Sequence, residues 1–286
     1  MPMRRLSIVL LIAFASSCFA ATNEKSEFFT TSDNVRLHYI DAGQGRAIVF
    51  EPGWTMPGDI FQPQIDALSA KYRVIAVDPR SQGDSDKPAD GNYPGRRARD
   101  LKELVDSLKL EKPVLVGWSM GVPELFSYVD QFGADNLGGV VLVDGFVKIG
   151  TDRAGVFPQF ALKYQVDRKQ ATAAFVKSMY AKPQTDAYLA KVTEESLKTP
   201  TNSAMALMLG SLGRLDWTEV LAKLGSVPVQ YHFEPQLQEQ ADILKEKLPS
   251  AKLVRYGDDG HALFVDDPTR FNRLVDELMS GQNQGK

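Results

Sequence analysis

A Gly-x-Ser-x-Gly run between a strand pattern and a helix pattern is the feature that most restricts how this chain can fold. Residues 112–116 are typical of a short buried strand, and residues 123–129 carry apolar side chains at helical spacing. In a nucleophile elbow, glycines two positions before and after the serine let the strand and the helix approach closely. We therefore predict that Ser119 is a nucleophile and that the Met120 N–H faces a developing oxyanion. The alternative is a tight turn whose glycines serve packing alone.

The composition is that of an ordinary globular protein. The chain has 286 residues, of which 43% are hydrophobic and 24% charged, and its formal net charge is -3. Blocks of lysine and arginine are absent from the sequence, which argues against nucleic acid as a partner. We expect a small-molecule partner instead.

The first twenty residues resemble a Sec-type signal peptide. Arg4 and Arg5 precede an apolar run at residues 6–15, which is too short for an ordinary membrane span, and small residues lead to a cleavage site after Ala20. Cys18 is the only cysteine, and a lipoprotein anchored there is the alternative. Cleavage after Ala20 would leave neither a disulfide nor a thiol nucleophile. We expect a bacterial periplasmic or secreted protein that contacts a membrane only if Cys18 is lipidated.

Strand and helix patterns alternate along most of the remaining chain, starting with residues 34–40, which alternate as an edge strand does. This alternation predicts an α/β fold with a mostly parallel, doubly wound sheet. From 146 to 225 the strand patterns stop and helical patterns follow, a stretch too long for a connection. We predict a helical cap at 146–225, inserted between two parts of the core at 21–145 and 226–280. A flexible tail is expected at 281–286.

Two further elements fit a serine nucleophile. A glycine-rich turn at residues 51–58 follows the strand pattern at residues 47–50, and we predict that its Trp54 supplies a second oxyanion N–H; a plain strand-to-helix loop is the alternative. Of the three histidines, His38 and His232 lie within strand patterns, whereas His261 lies in a turn after the last strand. We predict that His261 is the general base.

Four motifs together resemble the α/β-hydrolase superfamily, at residues 52–54, 78–85, 117–121 and 260–268. The similarity covers about residues 35–279 and is to the capped group that includes esterases, lactonases, haloalkane dehalogenases and epoxide hydrolases. The serine at position 119 implies ester or lactone cleavage through an acyl-enzyme, because dehalogenases and epoxide hydrolases of this group carry aspartate there.

The sequence departs from the family pattern at three places. Pro52 replaces the usual histidine before the oxyanion turn, and Val122 replaces a second glycine after the elbow. The triad acid is missing from its usual Gly-x-x-Asp position, where the chain offers only Glu234, which comes early. Asp144 occupies the location from which haloalkane dehalogenases often supply their acid. The resemblance favours Asp144, with Glu234 as the alternative.

These observations predict an exported serine hydrolase that cleaves a carboxylic ester or lactone of a small apolar substrate. No cofactor or metal is expected, because the sequence shows no cluster of His, Asp and Glu at ligand spacing. Amide or carbon–carbon bond hydrolysis and perhydrolysis use the same residues and remain alternatives. A non-catalytic binding protein that kept the fold is a further alternative.

Overall fold

The computed structural model describes residues 24–150 and 156–281. Its strands are β1 (Lys25–Thr30), β2 (Arg36–Ala42), β3 (Ala47–Glu51), β4 (Arg73–Val77), β5 (Val114–Trp118), β6 (Gly139–Val143), β7 (Val229–Phe233) and β8 (Lys252–Arg255). They form one eight-stranded sheet in the order β1-β2-β4-β3-β5-β6-β7-β8. Strands β3 to β8 are parallel, whereas β1 and β2 pair in antiparallel fashion.

Helices cover both faces of the sheet. The described α-helices are α1 (Gln62–Leu68), α2 (Pro94–Ser107), α3 (Gly121–Phe132), α4 (Val156–Val166), α5 (Arg168–Ser178), α6 (Asp186–Leu197), α7 (Thr201–Ser211), α8 (Thr218–Leu221), α9 (Gln238–Lys247), α10 (Leu263–Asp266) and α11 (Pro268–Gly281). Val49 and Leu115 belong to a hydrophobic cluster with α2 and α3. Phe50 and Val116, their neighbours in sequence, pack with α1 and α11. Successive strand residues thus face opposite layers, which confirms the predicted α/β class.

The prediction of an edge strand at residues 34–40 is wrong. The strand there, β2, lies between β1 and β4, and it pairs with β1 from Lys25 opposite Asp41 to Thr30 opposite Arg36. Strand β1 is almost entirely exposed and carries mostly polar side chains, so its sequence lacks the alternation that marks a half-buried strand. Backbone hydrogen bonds hold it at the edge of the sheet.

Helices α4 to α7 lie in the chain between the neighbouring parallel strands β6 and β7, within the range predicted for the cap. Side chains of α4 and α7, Tyr164 and Met208 among them, form a cluster with Trp54 from the turn after β3. The predicted signal peptide at 1–20 and residues 282–286 of the predicted tail lie outside the described residues. Gly281, assigned to the tail from the sequence, is instead the last residue of α11.

Within the part of the chain that the structure describes, no helix combines the length and the apolar character that a membrane span requires.

Three buried ionisable side chains meet beside the elbow. Glu51 at the end of β3, Arg97 of α2 and Glu124 of α3 are each at most 2% exposed. Arg97 donates a hydrogen bond of 2.9 Å to Glu124. Burial, together with the adjacent charge of Glu124, raises the pKa of Glu51 well above its usual range. The folded protein therefore keeps a proton on Glu51 to a higher pH than the unfolded chain does.

This buried carboxyl predicts a pH effect on stability. Because the pKa is raised in the folded state, the free energy of unfolding should fall as pH rises above about 4.3, the ordinary pKa of a glutamate. The variant Glu51→Gln cannot ionise and should lose this component. Between pH 5 and pH 8, the free energy of unfolding measured with urea should decrease less in Glu51→Gln than in the parent. The two decreases should differ by at least about 1 kcal/mol. The matched control is Glu111→Gln at an exposed position, and equal pH dependence in Glu51→Gln and the parent would contradict the assignment.

Candidate active site

Ser119 lies directly after β5 in a left-handed backbone conformation, with φ of 54°. Its N–H donates to the carbonyl of Val143 at 2.8 Å. A Cβ on Gly117 would lie 2.7 Å from the carbonyl oxygen of Gly121, and one on Gly121 would lie 2.6 Å from that of Glu51. Only glycine allows strand and helix to approach this closely. The local geometry is therefore that of a nucleophile elbow.

His261 lies in the turn between β8 and α10 and contacts Asp144. The imidazole Nδ1 and Asp144 Oδ2 are 2.6 Å apart, and the carboxylate is almost completely buried. The other carboxylate oxygen, Oδ1, accepts a hydrogen bond of 2.8 Å from the Glu234 N–H. The Trp118 indole donates to the His261 carbonyl at 2.9 Å. Both the side chain and the backbone of the histidine are thus held in place.

The two candidate acids have different positions. Asp144 directly follows β6, has φ of 47° and donates its N–H to the His232 carbonyl at 2.8 Å. Its carboxylate meets the imidazole of His261. Glu234 follows β7 and supports Asp144 through its backbone N–H. Burial, followed by the charge of Asp144, raises the pKa of the Glu234 carboxyl. The structure therefore pairs the histidine with Asp144.

The turn that carries Trp54 packs directly against the elbow. A Cβ on Gly53 would lie 3.0 Å from the Ser119 Cβ. The Met120 residue, which supplies the other predicted oxyanion N–H, is the N-cap of α3 and follows Ser119 in the chain. Trp54, Met120 and Ser119 all line the same cavity. This places both predicted donors close to the serine.

Gln82, which was not among the residues predicted from the sequence, fixes the turn that carries Trp54 through hydrogen bonds. This fully buried side chain donates to the carbonyls of Gly53 at 3.1 Å and Met56 at 2.6 Å. Its amide oxygen accepts from the Thr55 N–H at 2.9 Å and from Arg97 at 2.8 Å. All four hydrogen-bonding positions of the amide are occupied. Gln82 lies in the motif at 78–85, but nothing in the sequence indicates where its side chain points.

A cavity of about 640 Å³ lies between the elbow and helices α4, α5 and α7. Ser119, Asp144 and His261 lie on its wall. The remaining lining is mostly apolar, and it consists of Trp54, Met120, Pro123, Gly145, Phe146, Ile149, Phe160, Phe175, Met208, Ser211, Trp217 and Gln236. Lysine and arginine are absent from these described lining residues. The cavity therefore suits a neutral, apolar molecule.

The other two histidines, His232 in β7 and His38 in β2, are both buried. His232 is fully buried, and burial lowers its pKa to about 3. His38 is buried beside Asp78 and Asp84, and the ligand atoms of this group lie within 4.8 Å of one another. Both nitrogens of His38 already have partners, Asp78 and Ser26, each at 2.8 Å. These hydrogen bonds account for the position of His38 in β2.

Comparison with known proteins places this geometry in context. The model of the Alpha/beta hydrolase family matches residues 48–274. The non-heme chloroperoxidase CPO-A1 from Kitasatospora aureofaciens is 30% identical over 273 residues, which are 88% of this chain and 98% of that protein.

Solved structures share the fold over nearly all of their length. An esterase from Exiguobacterium antarcticum matches with a TM-score of 0.82 at 23% identity, covering 89% of this chain and 100% of its own. The enol-lactonase from Burkholderia xenovorans LB400 matches with a TM-score of 0.76 at 21% identity, covering 89% of this chain and 100% of its own.

Because His261 contacts Asp144, we expect substitutions of the two candidate acids to change the rate at which Ser119 reacts with a fluorophosphonate by different amounts. Asp144→Asn removes the charge that stabilises a protonated imidazole and holds its tautomer, and should slow labelling by about 10³-fold or more. Glu234→Gln keeps the backbone N–H that supports Asp144 and should stay within about tenfold of the parent. Labelling rates measured by mass spectrometry test this, with circular dichroism to confirm folding. Loss of reactivity only in Glu234→Gln would contradict the assignment.

Proposed function

Because the chain belongs to the alpha/beta hydrolase family, we propose that it is a serine hydrolase that cleaves a carboxylic ester or lactone through an acyl-enzyme. The observation that carries the proposal is the 2.6 Å contact between His261 and Asp144 on the wall of the cavity that also exposes Ser119. A binding protein would need neither the buried acid nor the strained serine, and each of these costs free energy.

The proposed reaction begins with attack of the Ser119 hydroxyl on the substrate carbonyl, while His261 accepts the hydroxyl proton. Asp144 orients the imidazole and stabilises its protonated form. The N–H groups of Trp54 and Met120 donate to the oxyanion of the tetrahedral intermediate. His261 then returns the proton to the leaving alcohol, and water releases the acyl group by the same sequence of steps.

The cavity sets the proposed substrate class. Its volume of about 640 Å³ is within the usual range for small-molecule sites. Phe160, Phe175, Met208 and Trp217 supply apolar contact area from the cap side. A negatively charged acyl or alcohol group would lose its hydration in this cavity without meeting a lysine or an arginine on the described lining. We propose a small neutral ester or lactone with apolar groups on either side of the carbonyl.

Hydrolysis of p-nitrophenyl esters tests the proposal. The parent should cleave neutral acyl esters from acetate to octanoate, and Ser119→Ala should lose about 10³-fold or more of kcat. The monosuccinate ester, which adds a carboxylate, should react at least about tenfold more slowly than the butyrate ester because its charge is desolvated. A parent that cleaves no ester, or a Ser119→Ala variant as active as the parent, would contradict the proposal.

Perhydrolysis is a second candidate, favoured by the similarity to a protein named as a chloroperoxidase. On the same residues, hydrogen peroxide would replace water in attacking the acyl-enzyme and would release a peracid. Incubation with acetate and hydrogen peroxide, followed by measurement of peracetic acid, separates this activity from hydrolysis. Peracid formation that is absent in Ser119→Ala would support the second candidate.

Export is a further proposal, supported by the charged and apolar pattern of residues 1–20. Fractionation of the producing bacterium should find the protein in the periplasm or the medium, and the intact mass should correspond to a chain that starts at Ala21. A cytoplasmic chain that retains residues 1–20 would contradict export, whereas a diacylglyceryl group on Cys18 would identify the lipoprotein alternative.

A further inference from the structure

Thr55 has an unusual backbone conformation next to the oxyanion residue. It directly follows Trp54, is completely buried and has φ of 62°. The left-handed region is unfavourable for a β-branched residue, and such strain persists only where the surroundings enforce it. Strained residues concentrate at functional sites, so the contacts that enforce this conformation are informative.

Gln82 fixes the peptide unit that carries the Trp54 N–H. Gln82 donates to the carbonyl of Gly53 at 3.1 Å and accepts from the Thr55 N–H at 2.9 Å. Because a peptide unit is planar, fixing the Gly53 carbonyl fixes the direction of the Trp54 N–H on the opposite side of the same unit. The N–H of Met56 also donates to the Gly53 carbonyl, at 3.1 Å.

The cap holds the same turn from the other side. The hydroxyls of Thr55 and Ser196 in α6 are 2.7 Å apart, and either can donate. Ser196 is fully buried. The Trp54 indole donates to the carbonyl of Ala204 in α7 at 2.7 Å. Two successive residues of the oxyanion turn are therefore bonded to two cap helices.

We propose that Thr55 is a positioning residue through which the cap, by way of Ser196, fixes the Trp54 N–H toward the developing oxyanion. This inference rests on the proposed serine hydrolase function. It assigns the cap a part in stabilising the transition state as well as in enclosing the substrate. The hydrogen bond from the Trp54 N–H strengthens as the oxyanion forms. Misdirecting this N–H should therefore lower kcat and leave KM nearly unchanged.

The test uses isosteric or minimal deletions of each hydroxyl. Thr55→Val, Ser196→Ala and the double variant should each lower kcat by about tenfold, with KM within about twofold of the parent. The double variant should be no slower than either single variant, because both substitutions remove one interaction. The conservative variant Thr55→Ser keeps the hydroxyl and should retain kcat within about twofold of the parent.

The matched control is Thr193→Val in the same helix. The Thr193 hydroxyl donates to the Leu189 carbonyl at 2.7 Å, within α6, and this substitution should leave kcat unchanged. A second readout is the rate of fluorophosphonate labelling, since the phosphoryl oxygen occupies the oxyanion position. This rate should fall in Thr55→Val, Ser196→Ala and the double variant, but not in Thr193→Val. Thermal unfolding confirms that every variant is folded.

Three results would overturn the inference. They are an unchanged kcat in folded Ser196→Ala and Thr55→Val, a change confined to KM, and an equal loss of kcat in Thr193→Val. Failure of the proposed function is recognised separately, because the parent would then neither cleave esters nor react with the fluorophosphonate at Ser119. The positioning role would fall with it.

Discussion

The site depends on the pairing of two neighbouring strands, each of which is directly followed by a residue with a positive φ. Trp118, the last residue of β5, lies opposite Val143, the last residue of β6, and the residues that follow them, Ser119 and Asp144, both have a positive φ. The parallel register therefore brings Ser119 and Asp144 to the same edge of the sheet. A shift of β6 by one residue would turn Asp144 to the other face of the sheet and away from His261.

The segment between α5 and α6 contacts the turn that carries His261. The Ala262 N–H donates to the carbonyl of Met179 at 2.8 Å. The buried carboxylate of Asp266 accepts hydrogen bonds of 2.8 Å from the N–H groups of Gly260 and Ala181. A Cβ on Gly260 would lie 2.7 Å from the Met179 carbonyl oxygen. The turn that carries His261 and the segment between α5 and α6 therefore form one hydrogen-bonded unit that supports His261.

Much of the fold was predictable because buried parallel strands and their helices follow simple periodic patterns, and the elbow has a local glycine requirement. The family resemblance favoured Asp144, but the residues alone left the choice between Asp144 and Glu234 open, because it depends on how two strands far apart in sequence pair. The same holds for Gln82, whose partners lie across the fold, and for the strain at Thr55. Strand β1 escaped prediction because backbone pairing, rather than burial of side chains, places it.

Trapping the proposed acyl-enzyme would show directly whether Ser119 is the nucleophile. The parent should be mixed with p-nitrophenyl butyrate, quenched in acid within milliseconds to seconds, and digested for mass spectrometry. We expect that the peptide containing Ser119 gains the mass of one butyryl group and that the gain is absent in Ser119→Ala. Turnover of the ester with no adduct, or with an adduct on another residue, would contradict it.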